Sequence, residues 1–310
     1  MNLLPKVIAL TVSLLWVAGC TSEEPKEPRP QEATEAWFTD VNLSSYLDCA
    51  RENGVTLIQA HRAGPRHGFA ENSLGAIAES LADGALFLEI DVAQTSDGTL
   101  VLMHDDTLDR TTTGQGRLST FSSAELADLR LVDDQGQVTA EKIPSLAEAL
   151  AFLEGRGIAQ IDLKKGVSNQ QIARALEEAN AIHRAMIITY SLNDAIELHQ
   201  WLPEVMLSVG IDDISELSIL EASGVNSERL TAWLGLGTGK PDLDQQLAQA
   251  GIETSYGDFR AERRGNARYR LMAENGAEIL SVDNVEYATN ALNAARASRD
   301  LLEICSTAQG

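Results

Sequence analysis

Cysteine is scarce in this chain: three in 310 residues, at positions 20, 49 and 305, with no C-x-x-C pair. A dithiol redox centre and a cysteine-based zinc site are therefore excluded. Positive charge is also short. Lys and Arg number 24 against 46 Asp and Glu, a formal net charge of −22. Such a surface repels polyanions, so nucleic acid is not a partner. No G-x-S-x-G nucleophile motif occurs. The run GLGTGK at 235–240 fails as a phosphate loop, because its glycine spacing is wrong and Pro241 follows the lysine. Long apolar stretches are missing too. The one early candidate, residues 7–17, is too short to span a bilayer. It ends in Val17-Ala18-Gly19-Cys20, the pattern of a bacterial lipoprotein processing site. We read residues 1–19 as a lipoprotein signal peptide and Cys20 as the lipidated residue. Residues 20–40, rich in Glu and Pro, form a flexible tether. That places the protein in the cell envelope, lipid-anchored to a membrane, with an outer-membrane or periplasmic position favoured. The remainder, 41–310, is globular. At 44% hydrophobic it can bury a substantial core.

What is present is concentrated between residues 57 and 116. Three apolar runs there, LIQAHRAG at 57–64, LFLEIDV at 86–92 and LVLMHDDTLDRTTTG at 100–114, each end in polar, chemically capable residues. These are His61 and Arg62, then Glu89 and Asp91, then His104 and Asp105. In a strand, residues i and i+2 share a face, so Glu89 and Asp91 project together and Leu88, Ile90 and Val92 project the other way. Two carboxylates on one face repel unless a cation lies between them, and a hard divalent ion on oxygen ligands is the usual solution. Glu-x-Asp alone would more often be a solvated strand end. The two nearby histidines favour a site. By contrast, His67 lies in a polar loop, and His183 and His199 fall on helical patterns and read as surface.

From residue 43 onward, apolar runs alternate with helical periodicity. Strands are expected at 56–61, 86–92, 158–164, 185–190, 205–211, 230–236, 252–256 and 278–282. Helices are expected at 43–53, 73–83, 145–154, 169–180, 192–201, 214–222, 242–250, 264–274 and 286–302. Ser122 with Glu125 and Ser145 with Glu148 are capping-box patterns. The run 100–104 follows its predecessor too closely for a parallel crossover, and Asp97-Gly98 signals a hairpin. It is an antiparallel return arm carrying His104 back toward Glu89. Eight βα units in ~250 residues correspond to a (β/α)8 TIM barrel with a small insertion, about 105–143, after the second strand. Barrel sites lie at the C-terminal ends of the strands. His61, Arg62, Glu89, Asp91, Asp162 and Lys164 all fall there.

The ordered combination of HRAG, Glu71-Asn72, LFLEIDV, TSDG, LVLMHDDTLDRTTTG, IPSL at 143–146 and ILSVDN at 279–284 resembles the glycerophosphodiester phosphodiesterase family. The clear match runs from about residue 57 to 164. The resemblance implies the same barrel and the hydrolysis of glycerophosphodiesters to glycerol 3-phosphate and an alcohol. It implies one divalent cation, Mg²⁺ or Ca²⁺, on Glu89, Asp91 and Asp162. His61 and His104 would be the general acid–base pair, and Arg62, Lys164, Asn72 and Tyr256 would contact the small phosphodiester substrate. Two departures stand out. The family's acid-x-Lys motif usually carries Glu where this chain has Asp162. Its W-T-x-N stretch near the seventh strand is replaced by Thr254-Ser255-Tyr256-Gly257, where Tyr256 would stand in for the tryptophan. The residues do not separate attack by water from attack by a neighbouring substrate hydroxyl, nor assign base and acid between the histidines. A related phosphodiesterase acting on a phospholipid, lysolipid or teichoic-acid-type diester is the first alternative. A non-catalytic binding lipoprotein is the second. With Cys20 lipidated, Cys49 and Cys305 remain. Barrel closure sets the first strand beside the last, so these two flanking segments should meet in a Cys49–Cys305 disulfide.

Overall fold

A computed structural model describes residues 42–307. The expected signal peptide, the expected tether and Cys20 lie outside the described residues. Nine strands form one sheet: β1 Leu57–Ala60, β2 Phe87–Gln94, β3 Leu100–Leu102, β4 Ile158–Leu163, β5 Ala185–Thr189, β6 Met206–Gly210, β7 Leu230–Leu236, β8 Glu253–Gly257 and β9 Ile279–Val282. The order is β1-β9-β8-β7-β6-β5-β4-β2-β3, and a further β1–β2 pairing closes it into a barrel. Every pairing is parallel except that of β3, which returns antiparallel along β2 with Val92 opposite Leu102. The fold is thus the (β/α)8 barrel with one extra strand.

The strands are short and buried on both faces, as parallel barrel strands must be; all of β2 but its last residue is buried. Their outward residues, such as Leu88, Ile90, Ile161, Ile187, Leu207 and Leu234, form one apolar cluster with the helices. The helices are α1 Leu43–Glu52, α2 Leu74–Asp83, α3 Ser123–Leu126, α4 Leu146–Leu153, α5 Asn169–Glu178, α6 Leu192–Trp201, α7 Ile214–Ala222, α8 Pro241–Gln249, α9 Phe259–Arg263, α10 Tyr269–Glu274, α11 Val285–Leu292 and α12 Ala294–Thr307. Both expected capping boxes form, at Ser122–Glu125 and Ser145–Glu148. One expected helix is shortened and another is divided. The segment 264–274 contributes only α10, and a separate short helix, α9, is capped by Asp258 ahead of it. The segment 286–302 breaks at Asn293, which adopts φ 55°, a left-handed conformation that asparagine tolerates and that ends a helix.

Residues 105–143 form a small unit with isolated bridges, one short helix and its own apolar cluster around Met103, Leu108, Leu118 and Leu126. It leans on the loop after β1. Asp133 accepts from Gly68 N at 2.9 Å, and Glu141 accepts from Gly75 N at 2.6 Å.

The opposite end of the barrel is closed by α1 and α12. Tyr46 and Leu47 of α1 and Leu301 of α12 pack on the first residues of the strands, including Phe87, Ile158, Met186 and Met206. The Tyr46 hydroxyl donates to Ser298 O at 3.1 Å. Here Cys49 and Cys305 are joined, Cα–Cα 6.3 Å, across a sequence separation of 256 residues. A cross-link over so long a loop removes much denatured-state entropy, about 2–4 kcal/mol in typical practice. Cys49→Ser is therefore expected to lower the urea midpoint of unfolding, and dithiothreitol to do the same to the wild type. Identical midpoints with and without reductant would show that the bridge does not stabilise the fold.

Candidate active site

The strand ends converge as the spacing of the sequence requires. Glu89 and Asp91 on β2 and Asp162 on β4 are all buried, and one carboxylate oxygen from each lies within 4.8 Å of the others. Asp91 and Asp162 are direct partners in the β2–β4 register. At an effective dielectric of 20, each such pair repels by about 3 kcal/mol. Lys164 offsets part of this, with Nζ 2.6 Å from Asp91 Oδ1 and 2.5 Å from Asp162 Oδ2. One lysine does not balance three acids. Burial first, then the charge of Asp91, pushes the Glu89 carboxyl up to about 8. Asp162 Oδ1 is buried and has no hydrogen-bond partner among the described residues. A compact, under-neutralised set of hard oxygen donors, one of them unpartnered, suits a divalent cation of the Mg²⁺ or Ca²⁺ kind.

The loop after β1 is bent to serve this cluster. Arg62, Ala63 and Gly64 follow one another at φ 50°, 64° and 75°. Two non-glycine residues there cost on the order of 1–3 kcal/mol each. The turn aims the Arg62 backbone N–H at Glu89 Oε2, 2.6 Å away. Gly64 has no substitute, since a Cβ would fall 2.3 Å from Ser80 Oγ.

Both histidines border the cluster, each held by its own carboxylate. His61 Nδ1 lies 2.8 Å from Asp283 Oδ1, and its ring stacks on Phe259 with centroids 4.2 Å apart. Burial works against a charged His61 ring, but the Asp283 hydrogen bond and the field of Glu89 outweigh it. The ring therefore stays protonated to higher pH than an ordinary histidine. His104 Nδ1 lies 2.7 Å from Asp105 Oδ1, and its Nε2 lies 2.8 Å from Arg62 Nη2. A guanidinium only donates, so Nε2 is the acceptor and the ring proton sits on Nδ1, facing Asp105. Arg62 also reaches Glu71 at 3.4 Å, while its buried Nε has no partner among the described residues.

Two residues expected to contact substrate do something else. Asn72, buried and at φ 58°, uses its side chain on Asp91. Its Nδ2 donates to Asp91 Oδ2 at 2.6 Å, and its Oδ1 accepts from Asp91 N at 2.9 Å. It orients one acid of the candidate cation cluster. Tyr256 is only 1% exposed. Gly257 pairs with Ser281 and Tyr256 with Leu280, which turns the Tyr256 ring outward, beneath the loop before α8. Its hydroxyl accepts from Lys240 N at 3.2 Å. A supporting residue under a loop is not the cleft wall that the family's tryptophan suggested. His67 turns to the insertion, 3.4 Å from Asp133 Oδ2.

Several site residues escape a reading of the sequence. Asp283 and Phe259 hold His61 from 222 and 198 positions away. Trp233 on β7 and Phe259 both approach Gly257, where an added Cβ would meet them at 3.1 and 3.2 Å, so they form one aromatic wall beside His61. Tyr190, 74% exposed, donates its hydroxyl to Asp162 Oδ2 at 2.8 Å. The only sequence signal was placement: Tyr190 ends one expected strand and Asp283 directly follows another.

The same fold recurs in known proteins. Residues 61–233 match the model of the glycerophosphoryl diester phosphodiesterase family. A glycerophosphodiester phosphodiesterase of Caldanaerobacter subterraneus is 34% identical over 149 residues, 45% of this chain and 61% of that protein. Human glycerophosphodiester phosphodiesterase 1 is 43% identical over 95 residues, 30% of this chain and 28% of its own length. The chain thus spans less than two thirds of the length of these curated relatives. A crystal structure of a glycerophosphoryl diester phosphodiesterase from Parabacteroides distasonis superposes with a TM-score of 0.75 at 26% identity, covering 82% of this chain and 92% of that one. The family match takes in more than half of the chain and includes His61, Arg62, Glu89, Asp91, His104, Asp162 and Lys164. The chain belongs to the glycerophosphoryl diester phosphodiesterase family.

Proposed function

We propose that this protein is a metal-dependent phosphodiesterase that hydrolyses glycerophosphodiesters to glycerol 3-phosphate and a free alcohol. One observation carries the reading: two histidines, each oriented by its own carboxylate, border a buried Glu89–Asp91–Asp162 cluster. Glu89, Asp91 and Asp162 would hold the cation, which when bound polarises the phosphoryl group and neutralises charge on its oxygens. Arg62 and Lys164 add positive charge for the non-bridging oxygens.

His104 is the base in this reading, and His61 the acid. Supporting this, His104 Nε2 already accepts a hydrogen bond, while Asp283 and Glu89 favour the protonated form of His61. The oxygen of a water or of a neighbouring substrate hydroxyl forms the new O–P bond and passes its proton to His104 Nε2; in the second case the product is a cyclic phosphate, which water then opens to glycerol 3-phosphate with the two histidines in reversed roles. The bond from phosphorus to the leaving oxygen breaks with its electron pair on oxygen, and His61 supplies the proton there.

The test is a turnover panel with the purified protein, detecting the released phosphomonoester and alcohol by mass spectrometry. Glycerophosphocholine and glycerophosphoethanolamine are set against lysophospholipid and polyglycerol phosphate, each with EDTA, Mg²⁺ or Ca²⁺. Metal-dependent turnover of the two small diesters is expected. Turnover of lysophospholipid alone would move the assignment to a lipid diester, and no turnover of any diester would overturn it.

A further inference from the structure

Arg110 belongs to the insertion, not to the barrel, and no step of the proposed chemistry uses it. Its guanidinium nevertheless joins both networks behind the site. Nε donates to Asp105 Oδ2 at 2.6 Å and Nη2 to Asp105 Oδ1 at 2.9 Å. Nη1 donates to Glu71 Oε2 at 2.7 Å and Nη2 to Glu71 Oε1 at 2.8 Å. Asp105 is the carboxylate that holds His104 Nδ1, and Glu71 is the one beside Arg62 Nη1. Arg62 in turn donates to His104 Nε2. The five side chains form a closed ring: Arg110, Asp105, His104, Arg62, Glu71 and back to Arg110.

The ring has a directional logic. Asp105 and Glu71 can only accept, and Arg62 and Arg110 can only donate. His104 is the one member whose proton has two places to sit. With donors fixed on one side and an acceptor on the other, it can close the ring in one way, with Nδ1 protonated and Nε2 carrying a lone pair. Half of the Arg110 side chain remains exposed, at 48%, whereas the Glu71 side chain is only 11% exposed. A surface ion pair of this exposure adds little to stability. Four charge-assisted hydrogen bonds in fork geometry add orientation instead.

We propose that Arg110 is a positioning residue: by clamping Asp105 and Glu71 together it holds His104 in the Nδ1-protonated tautomer, which keeps the proton-accepting lone pair on Nε2. The insertion then tunes the site from outside the barrel, and its contact with the mouth is part of the catalytic apparatus. This rests on the proposed phosphodiesterase reading, in which His104 acts at Nε2.

Two measurements on the full folded chain separate the proposal from that reading. In the first, Arg110→Ala and Arg110→Lys are assayed by kcat and KM on a small glycerophosphodiester. Both are expected to lower kcat about 10–100-fold, within the contribution of an acid–base group, with KM changing less than about threefold. Lysine should fail to rescue, because a point charge cannot bridge two carboxylates as a fork does. Asp97→Asn loosens the insertion elsewhere, at Ser123, and should leave kcat within about twofold. In the second, long-range ¹H–¹⁵N correlation of the histidine rings reads the His104 tautomer without any turnover. Wild type should show Nδ1–H, and Arg110→Ala a mixture of tautomers.

An unchanged tautomer in Arg110→Ala overturns the proposal, whatever the activity. So does full rescue by lysine, or an Asp97→Asn loss as large as that of Arg110→Ala, which would make Arg110 a support of the insertion only. Absence of turnover in the wild type, with the tautomer shift intact, would instead overturn the phosphodiesterase reading and leave the clamp standing.

Discussion

His61→Ala and His104→Ala should each lower kcat by about 10²–10⁴-fold, the range over which a positioned acid or base contributes, while leaving the fold intact. Neither side chain belongs to the apolar core, and each contacts polar partners at the mouth. Circular dichroism and the unfolding midpoint should therefore change little. The two losses should differ by leaving group. A p-nitrophenyl ester departs without protonation, so His61→Ala should be close to wild type on bis(p-nitrophenyl) phosphate and severely impaired on glycerophosphoethanolamine. His104→Ala should be impaired on both. Rescue of His104→Ala instead would exchange the two roles, and a wild-type kcat in either variant on the natural type of diester would remove that histidine from the mechanism.

Chelation should abolish activity, and a divalent cation should restore it. The physical basis is the repulsion within the cluster. Three buried acids face one lysine, and burial has already moved Glu89 far from an ordinary carboxyl. A cation that binds only the folded state adds RT ln(1 + [L]/Kd), about 2.7 kcal/mol at a hundredfold excess over Kd. The midpoint of thermal unfolding should thus rise with Mg²⁺ or Ca²⁺ in a concentration-dependent way. Glu89→Gln should keep the acceptor for Arg62 N, remove one negative charge and stabilise the chelated protein. It should also lose the metal-induced rise and most activity. Such opposition of stability and function is expected where an acid is buried against its ordinary ionisation for a purpose. A chelated wild type with full activity, or an unfolding midpoint indifferent to both cations, would exclude the metal mechanism.

The barrel could be read from the chain because its signals are local. Each strand is a short apolar run and each helix a 3.6-residue pattern, and these repeat eight times along 266 described residues. The period-two rule put Glu89 and Asp91 on one face, and Asp97-Gly98 turned β3 back along β2. These assignments needed no partner from elsewhere in the chain. The misplaced residues were those whose role depends on register or on closure. Tyr256 and Gly257 are adjacent, yet one faces the helices and the other the barrel axis. A shift of one residue in a strand limit reverses such an assignment. The family resemblance alone placed Asn72 at the substrate; the fold turns its amide onto Asp91.

Apart from the Cys49–Cys305 bridge, which barrel closure already implied, long-range pairing was decided by tertiary structure. The Asp283 contact with His61 exists because β9 closes beside β1, with Ala60 opposite Val282. The aromatic wall of Trp233 and Phe259 arises because β7 pairs with β8, which sets Trp233 beside Gly257 and the nearby Phe259. The Arg110 clamp needs the insertion folded against the loop after β1. Sequence by itself determined which chemistry the strand ends carry, since residue type and local period suffice for that. Tertiary structure decided which tautomer, which charge state and which partner each group takes, because those depend on neighbours that the chain brings together only when the barrel closes.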